Sequence, residues 1–501
     1  MSNIRRQSII SSMIVYFGFA LGFFNTWLFA REGGFPQTQY GLINLFIAIG
    51  NVIFAVANLG MQAYIYKFFP YYNDNLPRNK NDMITVALVV SLIGFAVVVL
   101  NGIIFKDFVI RKYGTKSPDF IKYYYWIFPF GFGLTIYSLL EAFAWQLKKS
   151  VLTNFLKEVQ FRVFITILII LSAARIIKDF ELFIKLFSFT YIVIAAILLT
   201  YLLVTRQIHF TFSLSRVTRK FYKKIVALAA FVWGGGLVYS IANVFDTILI
   251  AAVLENGLAY AAIYTLAQNM ASLIQAPQRA IVSSSIGPLS QAWKNKDYTR
   301  LNGIYQRSSI NQLLFSVGMF VLIWINFTDG VFTFNLQENY LSAQFVFLFI
   351  GLMRIVDMGS GVNSQIIATS TFWKFEFFTG IILLTLTLPL NYMLTKALGI
   401  PGTAIANLIS FSIYNGIRYT FLLRKFKMQP FNMKTVYTLV LGVVCYLVCH
   451  FLFSEFQGFG WIVLRSSVFV LLYITGVVIL NISPDVVPVW QTVTKKIRLR
   501  K

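Results

Sequence analysis

The chain has 501 residues, 58% of them apolar and 12% charged, and its 43 Lys and Arg outnumber 18 Asp and Glu for a formal charge of +25. Soluble domains run near 45–50% apolar and about 25% charged, so this composition excludes a disordered chain, a coiled coil and a set of ordinary soluble domains. It points to a polytopic helical membrane protein.

A helix needs about 20 residues to cross the hydrocarbon layer, and runs of that length follow one another along the chain. MSNIRRQ leads into an uncharged stretch at 7–30. That stretch is too long for a signal-peptide core and lacks a small-x-small cleavage site, so it reads as a retained first span. The second span lies in 33–66, behind the turn GGFPQTQ, and the third in 83–105. The fourth, 123–146, carries only Glu141. The fifth is doubtful, because 163–174 reaches membrane length only by taking in Glu158 and Arg162. Next come 186–205, then 225–254 with Asp246 as its one charge, and 256–278. The remaining spans are 308–328, 340–371 with Arg354 and Asp357, 377–395, 397–417, 435–454 and 461–480. The expected fold is therefore an all-α polytopic membrane protein of 14 spans, with both termini on one side.

The distribution of Lys and Arg chooses the side. With the N-terminus in the cytoplasm, 28 of them fall in cytoplasmic segments, 10 in external loops and 5 within spans. The segment 206–224 and the tail KKIRLRK are the most basic. The external loop 106–122 disagrees, with Lys106, Arg111, Lys112, Lys116 and Lys122. Either it meets an external anion or it is one loop that breaks the rule; the second is the simpler reading.

Spans 1–6 and 7–12 correspond at an offset of roughly 220 residues. The second span of each half opens in similar chemistry (TQYGLINL against AAIYTLAQ) and ends on a proline before a polar loop, at Pro70 and Pro288. Six spans per half give both halves one orientation, a parallel repeat, and sites in such folds sit near the midplane. The expected organisation is an N-terminal lobe at 1–205, a basic cytoplasmic linker at 206–224, a C-terminal lobe at 225–428, and two added spans with a basic tail at 429–501.

Polar residues inside spans need water, a partner or a function. Asn44, Asn51 and Asn58 recur every seven residues in span 2, as one stripe. Gln268, Ser272, Gln275 and Arg279 form a stripe in span 8, and Asn407, Ser410, Tyr414 and Arg418 another in span 12. Such stripes fit a polar cavity, or helix–helix hydrogen bonds inside the bundle. Arg354 and Asp357 lie one turn apart and can neutralise one another, and Arg354 lies too deep to snorkel easily. Glu158 and Arg162 read as a structural i, i+4 pair. Arg279 and Arg418 lie near cytoplasmic helix ends, where they can snorkel or touch substrate, and Arg465 reads as snorkelling to the outer surface. Asp246, without a local counter-charge, is a proton or cation site or a cross-helix hydrogen-bonding group; Glu141 is similar but weaker.

Enzyme signatures are missing: there is no GxSxG, no P-loop and no HExxH. Cys445, Cys449 and His450 lack the spacing of haem attachment, and both cysteines lie in one apolar run, so no disulfide framework, metal or cofactor is expected. Basic residues are spread through short gaps between spans, which argues against nucleic acid as a partner.

The chain resembles the multidrug/oligosaccharidyl-lipid/polysaccharide (MOP) exporter superfamily, and within it the polysaccharide branch of O-antigen and capsule-type flippases. The resemblance spans essentially the whole length. It rests on the 14 spans, the six-plus-six repeat, the basic linker, the stretch VWGGGLVYSIANVFDTILIAAVLENGLAYAAIYTLA, and IGPLSQAWKNKDYTRLNGIYQR after it. It implies a non-enzymatic flippase in the bacterial cytoplasmic (inner) membrane. The cargo would be a polyprenyl-pyrophosphate-linked oligosaccharide, moved through a basic cleft open first to the cytoplasm and then to the periplasm. On that resemblance Arg279, Arg354 and Arg418 would meet pyrophosphate. Asn44, Asn51, Asn58, Gln268 and Gln275 would meet sugar hydroxyls, with Asn25 in span 1. Asp246 or Asp357, and more weakly Glu141, would couple transport to H+ or Na+. Other polysaccharide-assembly proteins are expected partners. Family members with arginines early in span 1 are not matched, since this chain offers Asn25 there. Two rivals stand beside this reading: a cation-coupled multidrug exporter of the same superfamily, and a membrane polysaccharide polymerase or ligase.

Overall fold

In the computed structural model, residues 3–483 and 485 are described. Helices make up 84% of the structure, and no strand occurs among the described residues. The basic tail 495–501 lies outside them.

The chain divides into two compact units, Met1–Ala262 and Ile263–Lys501. The first unit holds α1 (Asn3–Ala30), α2 (Gln37–Ala57), α3 (Met61–Asn75), α4 (Met83–Ile104), the short α5 (Lys106–Tyr113) and α6 (Pro118–Lys122), and α7 (Ile127–Gln146). There follow α8 (Ser150–Asn154), a π-helical turn (Phe155–Gln160), α9 (Phe161–Ala173), α10 (Phe180–Val204) and α11 (Arg216–Val253). α12 (Gly257–Ile274) begins in the first unit and ends in the second. The second unit continues with α13 (Gln278–Lys294), α14 (Tyr298–Thr333), α15 (Ala343–Gly359), α16 (Asn363–Ala368), α17 (Trp373–Leu398), α18 (Ile400–Phe426), α19 (Met433–Phe453) and α20 (Phe459–Ile479).

Among the described residues, eleven helices are long and apolar enough to cross a membrane. The other three expected spans are helical as well. The doubtful fifth is continuous helix over 150–173, with the π turn inside it. Glu158 and Arg162 pair across one turn at 2.6 Å, as expected. A π turn widens the helix and opens its hydrogen-bond ladder. Here it packs on α1 at two glycines: a Cβ on Gly18 would lie 2.6 Å from the Glu158 carbonyl oxygen, and one on Gly22 2.9 Å from Arg162 Nε. The eighth span is cut into α12 and α13, and the twelfth, α18, has 27 residues, about 40 Å of helix, but a more polar sequence.

Segment 106–122 is folded, not an extended loop. Tyr113 donates to the Ile248 carbonyl at 3.3 Å and Ser117 to the Ala251 carbonyl at 2.7 Å. Lys116 pairs with Glu255. Lys106 sits over the Tyr125 ring and Lys122 over the Tyr123 ring. Lys106, Lys116 and Lys122 thus have local acidic or aromatic partners.

The pair α19 and α20 packs on α14. Ile310, Leu313, Val317 and Val321 meet Cys445, Cys449, Phe469, Tyr473 and Val477 in one apolar cluster. Both cysteines are free and buried. Arg465 does not snorkel as expected: it is 5% exposed and paired with Asp329 at 3.4 Å. It also donates to the carbonyls of Ile325 and Phe456. Those carbonyls supply inside the protein what the interface would have supplied, which is why burial is tolerated.

Candidate functional site

The second span of the first unit is interrupted. α2 ends at Ala57, Leu59 and Gly60 take positive φ of 45° and 75°, and α3 starts at Met61. Gly94, halfway along α4, lies against the Ala57 carbonyl, so the break sits at the middle depth of a neighbouring span. Backbone groups freed there must be satisfied by the protein. The Trp233 indole on α11 donates to the carbonyls of Ala55 at 3.0 Å and Val56 at 3.1 Å. Ser91 donates to the Asn58 carbonyl, and the Asn58 side chain accepts from the Gln62 amide at 3.2 Å. Gly60 lets the turn approach the backbone at Ala229 closer than any side chain allows.

Beside the break lies a cavity of about 590 Å³. Asn51, Asn58, Gln62, Trp233, Ser240 and Asn243 supply its polar and indole surface, and among the described residues no charged one lines it. Two of the three residues of the asparagine column therefore share one cavity. Asn51 turns its amide nitrogen back to the Ile47 carbonyl at 2.7 Å, and Asn44, which is not in the lining, bonds Tyr40 in the same way.

The rest of the first unit's polar set lies elsewhere. Asn25 is buried; it donates to the Arg162 carbonyl at 2.9 Å and accepts from Thr166 at 2.6 Å, clamping α1 to α9. Glu141 is buried and pairs with Lys157 of the π turn at 3.3 Å. Asp246 is buried on α11.

The second unit carries a matching interruption. α12 stops at Ile274 and α13 resumes at Gln278, with Pro277 between them. The two breaks are separated by nearly the sequence offset of the repeat. Pro70 and Pro288, expected to end these spans, instead lie inside α3 and α13. In each half the chain is cut earlier, by Leu59 and Gly60 or around Pro277. Paired interruptions in the two halves of a repeat are where transporters place binding groups.

From the second break a hydrogen-bonded chain runs through five helices. Gln275 donates to Gln278 at 2.7 Å, and Gln278 to Asp357 on α15 at 3.1 Å. Asn415 on α18 donates to the other Asp357 oxygen at 3.1 Å, and Asn363 on α16 donates to Asn415 at 3.0 Å. The Ser364 amide donates to the Asn363 side chain at 2.6 Å, and the Ser364 hydroxyl to Glu376 on α17 at 2.7 Å. Glu376 forms an ion pair with Arg418, whose guanidinium lies 3.6 Å over the Tyr414 ring. Asn363, Asn415 and Arg418 are buried.

Of the expected site residues, Gln275, Asp357 and Arg418 are joined in this network. Arg354 is half-buried one turn before Asp357, and Gln268 is half-buried on α12 two turns before the break. The Arg279 side chain lies outside the described residues. Gln62, Trp233, Gln278, Asn363, Asn415 and Glu376 were not anticipated. The Leu59-Gly60 and Pro277 positions were the available signals for the first three.

These features describe a multi-pass membrane protein whose second and eighth spans are both interrupted. Solved structures share its fold. The chain is similar to the lipid II flippase MurJ in an inward closed conformation, with TM-score 0.69, 17% identity, and coverage of 94% of this chain and 98% of that one. It is also similar to a multidrug resistance MATE family transporter of the MOP superfamily in an inward-facing conformation, with TM-score 0.62, 16% identity, and coverage of 84% and 98%. An outward-facing MATE family transporter matches at TM-score 0.55 and 13% identity, with coverage of 84% and 95%. No family model and no curated protein matches the sequence. The shared feature at these identities is the fold, which is that of MOP-superfamily flippases and exporters.

Proposed function

We propose that this protein is a flippase for a polyprenyl-pyrophosphate-linked oligosaccharide of the O-antigen or capsule type, working by alternating access in a bacterial cytoplasmic membrane. The observation that carries the reading is the uncharged cavity at the first break. Amides, a hydroxyl and an indole suit sugar hydroxyls and sugar faces, and an organic cation would find no carboxylate there. The likeness in fold to a lipid II flippase supports it. In this reading Asn51, Asn58, Gln268 and Gln275 contact sugar, Arg354 and Arg418 contact phosphate, and Asp246 and Asp357 are the coupling groups for H+ or Na+. Arg279 joins the phosphate set by its position in the stripe.

The second reading, a cation-coupled multidrug exporter, is favoured by the buried carboxylate of Asp246 and by the likeness to MATE transporters. One experiment separates the two. A fluorescent lipid-linked oligosaccharide is followed across reconstituted vesicles, beside efflux of a cationic dye. The flippase reading expects movement of the lipid, and its retention on the cytoplasmic leaflet in Arg354→Ala at normal protein level. Dye efflux that Asp246→Asn abolishes, without lipid movement, would establish the exporter.

A further inference from the structure

The ion pair between Arg418 and Glu376 leaves two buried atoms without a hydrogen-bond partner, Arg418 Nε and Glu376 Oε2. Buried polar atoms of this kind need an explanation. The geometry supplies one. Guanidinium groups bind phosphate or carboxylate through two parallel N–H donors. Glu376 engages Nη2, which also contacts the hydroxyls of Tyr414 and Ser364, so the Nε half of the fork that Nε and Nη2 form has no partner. The Tyr414 ring under the guanidinium, with the Tyr414 hydroxyl bonded to Nη2, holds the plane in place independently of Glu376. Glu376 is the more accessible partner, with a side chain 19% exposed against 5% for Arg418.

We infer that Glu376 is a built-in occupant of a phosphate-class anion site on Arg418, and that an arriving anion displaces it with uptake of one proton. This deepens the proposed function and rests on its reading of Arg418 as a phosphate contact. The charge count requires the proton. The resting pair is neutral. Adding an anion while Glu376 stays ionised leaves an uncompensated negative charge in a buried site, which is strongly unfavourable. If Glu376 takes a proton as a phosphate group carrying one negative charge docks, the site is neutral before and after. The guanidinium keeps its charge throughout, the carboxylate becomes a carboxylic acid, and no other bond changes.

The groups facing Glu376 are consistent with that role. From α18 come Arg418 and Tyr414, and from α16 the hydroxyl of Ser364. Lys374 lies two residues before it on α17. The next carboxylate, Asp357 on α15, is joined to it through Asn415, Asn363 and Ser364. That chain of neutral donors connects the proposed anion site to the interrupted span.

The test uses full-length protein in lipid nanodiscs. Calorimetric titration with dimethyl phosphate, and separately with the methyl ester of undecaprenyl phosphate added to the disc, both monoanions with no proton of their own to exchange over the pH range, is run in two buffers of different ionisation enthalpy. Binding should take up about one proton per anion and should strengthen up to about tenfold per unit fall in pH. Glu376→Gln keeps the shape and the Ser364 contact; it should bind at least as tightly, with no proton uptake and a flat pH profile. Glu376→Asp should retain proton uptake, and thermal melting checks that both variants are folded. Binding by the lipid alone assigns the site to a headgroup, and binding by both probes to the phosphate itself. Equal proton uptake in Glu376→Gln, or binding weakened tenfold by it, overturns the displacement. Unchanged binding in Arg418→Gln, or no binding of either probe to the native protein, overturns the phosphate reading on which it rests.

Discussion

The N-terminus of α11 is fastened by a carboxylate, and removing it should have a measurable effect. Asp82, 1% exposed, accepts through one oxygen from the Ser215 amide at 2.9 Å and the Thr218 hydroxyl at 2.7 Å. Thr218 in turn contacts the Tyr72 hydroxyl at 2.6 Å, and Tyr64 donates to Tyr72 at 2.8 Å. Ser215 is itself the N-cap of α11. Hydrogen bonds to a charged acceptor contribute about 1.5–3 kcal/mol each, and neutral ones about 0.5–1.5. Asp82→Ala, losing two, should therefore destabilise the attachment by about 3–6 kcal/mol. Asp82→Asn keeps one oxygen able to accept both bonds and loses the charge, costing about 2 kcal/mol, including the favourable placement of a carboxylate at a helix N-terminus. Each 1.4 kcal/mol is about tenfold in the opening equilibrium. Limited trypsin cleavage at Arg216, Arg219 and Lys220 reads that opening when closing is fast relative to cleavage. Cleavage should accelerate at least about a hundredfold in Asp82→Ala and roughly thirtyfold in Asp82→Asn. Cleavage of Asp82→Ala at the native rate would show that the network does not hold the helix start.

Two further outcomes follow from close contacts. Gly60→Ala meets both a left-handed φ, worth about 1–2 kcal/mol, and the backbone of Ala229; Gly234→Ala meets open space on a helix, where alanine is favoured by up to about 1 kcal/mol. Thermal melting should fall clearly for the first and hold or rise for the second, and equal effects would refute the close approach. Arg465→Leu leaves Asp329 buried without its counter-charge and should cost about 3–5 kcal/mol, while the double replacement Arg465→Leu with Asp329→Leu should recover part of it. A double variant no more stable than the single one would mean that the pair is not coupled.

Much of the architecture was legible because bilayer solvation acts residue by residue. Long uncharged runs became helices almost where they were expected. The asparagine column was visible as a seven-residue spacing, and two of its members do meet at a cavity. The column did not reveal that the helix stops at Asn58, because an uncharged run continuing through Leu59 and Gly60 has the same hydropathy broken or whole. Arg465 was misplaced for a related reason. Its position in the span says how far it lies from the surface, but not that Asp329 and four carbonyl or amide oxygens surround it.

By itself the sequence determined that the chain crosses a membrane many times and which polar groups are carried into the apolar layer. Only the tertiary structure decided the company those groups keep: Asn25 and Glu141 in contacts within the first unit, Asn51 and Asn58 at a cavity, and Asp357 linked through three side chains to the pair of Glu376 and Arg418. Transfer into hydrocarbon is an additive property of single residues and can be read along a line. Neutralising a buried charge needs a partner within hydrogen-bonding distance, and Glu376 is 42 positions away from Arg418 in the chain.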